Sequence, residues 1–187
     1  MKKLINPFDY IAGWQALAAG AAAMAVKALV AVLSGQSFDG LLHITYADVT
    51  FWQVLAQQIV CWLVLSTLLY AAARLFSRSR VRAIDIYGTN LFARIPIVPM
   101  LLTTFLLGRE LTDALMSADA VEVAMANSGR LLMVGVLNIV LMVWYFAWSY
   151  RAFSVSANMR GWRAAAIFAV CYVAAMIAAG PLLKLIG

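Results

Sequence analysis

Apolar stretches of 18 or more residues recur along this chain of 187 residues, and runs that long point to the hydrocarbon interior of a bilayer. Five spans fit, over about residues 11–33, 51–76, 89–108, 131–150 and 164–185. Apolar residues make up 65% of the chain and charged ones 12%, against roughly 45–50% and about 25% in soluble domains. Mean hydropathy is +0.91. A soluble fold of this size has no interior large enough for that much apolar surface. Each connection is shorter than the ~40 residues an independently folding unit needs, so residues 1–187 read as one membrane domain. The expected fold is an all-α polytopic bundle of five transmembrane helices, and any activity belongs to the bundle or its rims.

Asn6-Pro7-Phe8-Asp9 reads as a helix start, with Asn6 as N-cap, Pro7 at the first helical position and Asp9 near the positive end of the dipole. The polar interruption there favours a retained anchor over a cleaved leader. Ala12, Ala16 and Gly20 recur at four-residue spacing in the first span, and Ala21, Ala25 and Ala28 extend a small-residue surface that lets a neighbouring helix approach closely. Thr50 and Gln53 form a capping box, with Val49 and Val54 as hydrophobic staple, so the second span starts near Phe51. Pro96 and Pro99 each remove an amide donor and release the carbonyls of Phe92 and Ile95, so the third span is expected to be kinked or broken. Residues 110–128 alternate apolar and acidic positions, as short surface helices do.

Lys2, Lys3, Arg74, Arg78, Arg80, Arg82, Arg151, Arg160 and Arg163 fall on one side of these spans. Arg109, Arg130 and Lys184 share the other with Asp39, Asp48, Glu110, Asp113, Asp119 and Glu122. Positive-inside bias makes the first side cytoplasmic, with the amino terminus there and the carboxyl terminus across the membrane. Topology thus accounts for the net charge of +6 without nucleic acid. Trp144, Tyr145, Trp148, Tyr150 and Trp162 read as an aromatic belt at the cytoplasmic edge.

Enzyme constellations are missing from the sequence. His43 is the single histidine, Cys61 and Cys171 lie in apolar runs without CxxC spacing, and no HExxH, GxSxG, GxGxxG or phosphate-loop motif occurs. No carboxylate lies within the five spans, which disfavours proton-coupled pumps and intramembrane hydrolases. Glu110, Asp113, Asp119 and Glu122 could offer oxygen ligands to a divalent cation, but their spacing reads better as a solvated acidic face. The expectation is a non-enzymatic protein without cofactor or metal.

Buried polarity is the remaining signal. Counted at ~1.5 Å per residue from the outer helix ends, Lys27, Gln57 and Asn138 come out about 10 Å deep, with Thr103 and Thr104 slightly shallower. One reading is a hydrated vestibule in which Lys27 attracts anions; the other is interhelical hydrogen bonding with Lys27 snorkelling outward. Arg94 stands just before the proline kink, placed either for a function, to snorkel, or to bond carbonyls that Pro96 releases. Asp85 is nearer Arg82 than Arg94 in helical register. Arg78, Arg80 and Arg82 form a basic strip suited to anionic lipid head groups or an acidic partner.

The stretch Ile84-Asp85-Ile86-Tyr87-Gly88-Thr89-Asn90-Leu91-Phe92-Ala93-Arg94-Ile95-Pro96 resembles the Yip-one domain family of Ypt/Rab-interacting membrane proteins. A Gly, then Leu-Phe, then Ile-Pro leads into the third of five spans; the Ala-Arg-x-Pro ending and the Asn-Pro-Phe opening resemble the bacterial branch. The resemblance covers most of the chain and implies a five-span inner-membrane protein of unsettled activity; the expectation from the small-residue faces and cytoplasmic loops is a membrane organiser or partner-binding component, with a protein partner or a second copy bound. Eukaryotic members act with Rab GTPases through a long cytosolic amino-terminal region; only about ten residues precede the first span here. The rival expectation is a small-solute or ion permease working through the outer polar layer.

Overall fold

The computed structural model describes residues 6–117 and 119–186; Lys2 and Lys3 lie outside them. The chain is a helical bundle with five helices long and apolar enough to cross a membrane. Helix α1 covers Gly13–Leu33, strands β1 and β2 cover Gln36–Phe38 and Ile44–Tyr46, and α2 covers Phe51–Phe76. The third span is split into α3 (Ala83–Phe92) and α4 (Ile97–Leu107). Short helices α5 (Arg109–Leu115) and α6 (Ala120–Ala126) lead to α7 (Ser128–Ser156) and α8 (Gly161–Leu183).

The proline break forms as expected, but its carbonyls are not left free. The Ile95 N–H donates to Phe92 O at 3.1 Å and the Val98 N–H to Ile95 O at 2.9 Å, so tight three-residue turns absorb what Pro96 and Pro99 remove. Arg94 is therefore not needed to bond those carbonyls. The helix also begins at Ala83, six residues before the expected Thr89, because Asp85 and Tyr87 are accommodated by packing rather than exposed in a loop. Helices α7 and α8 start ahead of the expected spans at 131 and 164, and α7 runs on past residue 150, since helical hydrogen bonding does not stop where the apolar run stops.

Glycine decides the closest contact. A Cβ on Gly20 would stand 2.7 Å from the Phe92 backbone nitrogen, and one on Gly88 would stand 2.5 Å from the Gly13 carbonyl oxygen. Helix α1 accordingly lies almost backbone to backbone on α3. Its packing face is Gly13, Ala16, Gly20, Met24, Lys27, Ala28 and Ala31. Ala12, Ala21 and Ala25 are exposed instead, which corrects the broader small-residue surface: each step of one residue turns about 100° away from the contact.

The start of the chain differs from a simple N-cap. Pro7–Asp9 form a 3-10 turn, the Asn6 amide donates to Asp9 Oδ2 at 2.7 Å, and α1 begins only at Gly13. Phe8 is buried between Phe92 and Trp148, edge-on to both at 5.9 Å. Trp148 and Tyr145 thus belong to the interior, and the expected aromatic belt reduces to exposed rings such as Trp162.

Candidate functional site

The segment between α1 and α2 is more than a connection. Strands β1 and β2 pair antiparallel, Gln36 with Tyr46 and Phe38 with Ile44, and the resulting hairpin turns Gln36, Ser37, Phe38 and Leu41 into the bundle. The Gln57 Oε1 accepts from the Ser37 hydroxyl at 3.2 Å and from the Phe38 N–H at 3.1 Å, and the Gln36 amide donates to Thr104. Thr103 donates to Asn138 Oδ1 at 3.1 Å, joining α4 to α7. At the far end of α2's first turn, Thr50 and Gln53 close the expected capping box. Gln57 and Thr104 thus bond the hairpin, and Thr103 bonds Asn138. Beside them a cleft of about 280 Å³ opens at this end, lined by Gly35, Asp48, Thr104 and Asp113 among others.

Lys27 does not belong to that hydrogen-bonded set and does not snorkel. It is 2% exposed, with its ammonium 5.4 Å from the Phe38 ring centroid, so the hairpin covers it from the side expected to be open. It lines one crevice with Arg94, together with Gly20, Ala23, Met24 and Leu91. Arg94 is 4% exposed and its Nε and Nη1 have no hydrogen-bond partner. The Cys61 thiol of α2 stands beside the Arg94 guanidinium and donates to the Gly40 carbonyl at 3.5 Å. Gln58, three residues before Cys61, has both amide atoms buried without partners, and so has Asn90 Oδ1, one turn before Arg94. Neither Gln58 nor Asn90 stood out in the sequence, because a lone amide in an apolar run looks the same whether it is paired or orphaned.

Among the described residues the ion pairs are His43 with Asp39 and Arg82 with Asp85, the latter at 3.7 Å. Neither pair includes Lys27 or Arg94, although Asp39 directly follows Phe38, whose ring faces the Lys27 ammonium. Asp85 thus pairs as its register implies, while its backbone carbonyl accepts from Thr89 at 2.6 Å and from Ser156 at 3.3 Å. Gly88 serves the α1 contact, Pro96 caps α4 and Pro99 occupies its first turn, where a missing N–H costs little.

The two ends of the bundle differ sharply in charge. Arg74, Arg78, Arg80, Arg82, Arg151, Arg160 and Arg163 are all exposed where α2, α3, α7 and α8 end or begin, and Ser77 ties this rim together by donating to the Ala157 carbonyl at 2.7 Å. Glu110, Asp113, Asp119 and Glu122 are exposed on α5, α6 and the turn between them at the opposite end. Cys61 and Cys171 are free thiols. No known protein family, curated protein or solved structure matches the chain.

Proposed function

We propose that this chain is a non-enzymatic membrane organiser of the Yip-one type, which gathers anionic lipid head groups at its arginine-rich end. The carrying observation is the exposed arginine rim opposite an exposed acidic end. In this reading the rim and the amino terminus face the cytoplasm, the carboxyl terminus faces the periplasm, and the membrane is the bacterial inner membrane. The close α1–α3 contact through Gly88 supports the Yip-one resemblance, since it gives the glycine of that motif a packing role. An acidic protein or a second copy of the chain could bind the same rim, each without any enzymatic step.

Each arginine near an anionic surface contributes about 1 kcal/mol. Replacing Arg78, Arg80 and Arg82 together with alanine is expected to weaken retention of anionic lipid by up to ~100-fold at low salt, read by native mass spectrometry of protein released from mixed-lipid nanodiscs. Undiminished retention would sink the reading. Cysteine-accessibility mapping at Ser79 and Ser117 tests the orientation: Ser79 is to label from the cytoplasm and Ser117 from the periplasm.

The rival reading is a small-solute or ion permease through Lys27, Gln57, Thr103, Thr104 and Asn138. It has less support, because four of these side chains spend their hydrogen bonds on one another and on the hairpin. Liposome flux that falls on Lys27→Ala or Asn138→Leu would favour it.

A further inference from the structure

Two cations buried side by side, with no carboxylate paired to either among the described residues, present an energetic problem that the polypeptide does not solve. Taking each ion out of water costs several kcal/mol even after relaxation, and their mutual repulsion adds to that. Orphaned buried polar atoms are rare in folded proteins, and each calls for a cause such as a bound ion or water. Arg94 has two of them, Nε and Nη1, at the crevice it shares with Lys27; Gln58 on α2 and Asn90 on α3 have others.

We propose that Lys27 and Arg94 form a binding site, inside the bundle, for a small inorganic anion of halide size. Charge selects the sign of the ligand, since the ammonium and guanidinium are donors only. Depth selects its kind. Lys27 lies about 21 Å along α1 from Gly13, and Arg94 about 16 Å beyond Ala83, at 1.5 Å per residue. A lipid phosphate at the arginine-rich rim stays out of reach. The crevice lined by Lys27 and Arg94 is too narrow for a water molecule as it stands. A small ion therefore enters by displacing the Met24 side chain, whose unbranched thioether adapts readily. Phe38 and the hairpin close the site toward the acidic end.

Thermal unfolding of the purified chain in nanodiscs tests this, comparing sodium chloride and sodium bromide with sodium gluconate at equal ionic strength. Chloride and bromide are expected to raise Tm saturably, by ~3 °C or more at ten times the dissociation constant, and gluconate, too large for the crevice, is not. Lys27→Met and Arg94→Met each abolish the rise, whereas Asn138→Leu keeps it. Equal Tm values in all three salts, or a rise that survives in both methionine variants, overturn the proposal. Should the variants fail to fold, bromide-soaked crystals of the unaltered chain decide: an anomalous peak between Lys27 and Arg94 supports the site, and no peak there overturns it. The site is remote from Arg78, Arg80 and Arg82, so lipid retention at the rim stands or falls separately.

Discussion

Two groups of buried polar side chains occupy this bundle at neighbouring depths, and they are built on opposite principles. In the group around Gln57, Thr103 and Asn138, donors and acceptors meet in pairs, Gln36 Oε1 excepted, so the layer acts as interhelical glue. In the group around Lys27 and Arg94, two cations line one crevice and Arg94 Nε and Nη1 have no hydrogen-bond partner. Polarity inside a membrane bundle is thus of two kinds: one completes the fold, and the other is completed by something else. Hydrogen-bond satisfaction, rather than polarity or depth, tells them apart.

Forcing α1 away from α3 is the most severe way to break the contrast. Gly20→Leu places atoms where the Phe92 and Leu91 backbones already stand, and overpacking of this kind costs 1–3 kcal/mol or more. Tm is expected to fall by roughly 10 °C, and the chloride response to vanish with the crevice, both read by intrinsic tryptophan fluorescence. Next in size, Lys27→Met with Arg94→Met is expected to raise stability in gluconate by about 1–4 kcal/mol, because apolar replacement of buried charges removes their desolvation cost. A fall would show that these cations are already compensated. Gln57→Leu reverses that sign in the neighbouring layer: it strips the acceptor from the buried Phe38 N–H and is expected to cost about 1–3 kcal/mol, measured by the same unfolding midpoint. Asn138→Leu is the mildest, with an expected loss near 0.6 kcal/mol and an unchanged chloride response.

Much of the scaffold was legible in the sequence. Length and apolarity located the five spans, the capping box at Thr50 and Gln53 fixed the start of α2, and Pro96 with Pro99 located the break. The hairpin was not legible, since strands of three residues are too short to show alternation and Gly, Ser, Asp and His around them read as an ordinary connection. Within the candidate site, counting rise per residue gave a depth for Lys27 and Gln57 but said nothing of azimuth. Which way each helix faces depends on contacts such as Gly20 against Phe92, and those join segments far apart in the chain. Arg94 stood out because a charge in an apolar run is conspicuous. Gln58 hid beside Gln57, one residue and about 100° away.

The intimacy of α1 with α3 also bears on how the protein is made. The glycine contact joins Gly20 to residues about 70 positions later, an interval that takes roughly 4–14 s at ribosomal speeds of 5–20 residues per second. Throughout that interval the nascent first helix carries a bare seam of small residues, before the stretch of chain that will pack against it has left the ribosome. The first helix is consequently a waiting partner during synthesis, its tightest contact completed only once α3 has been made.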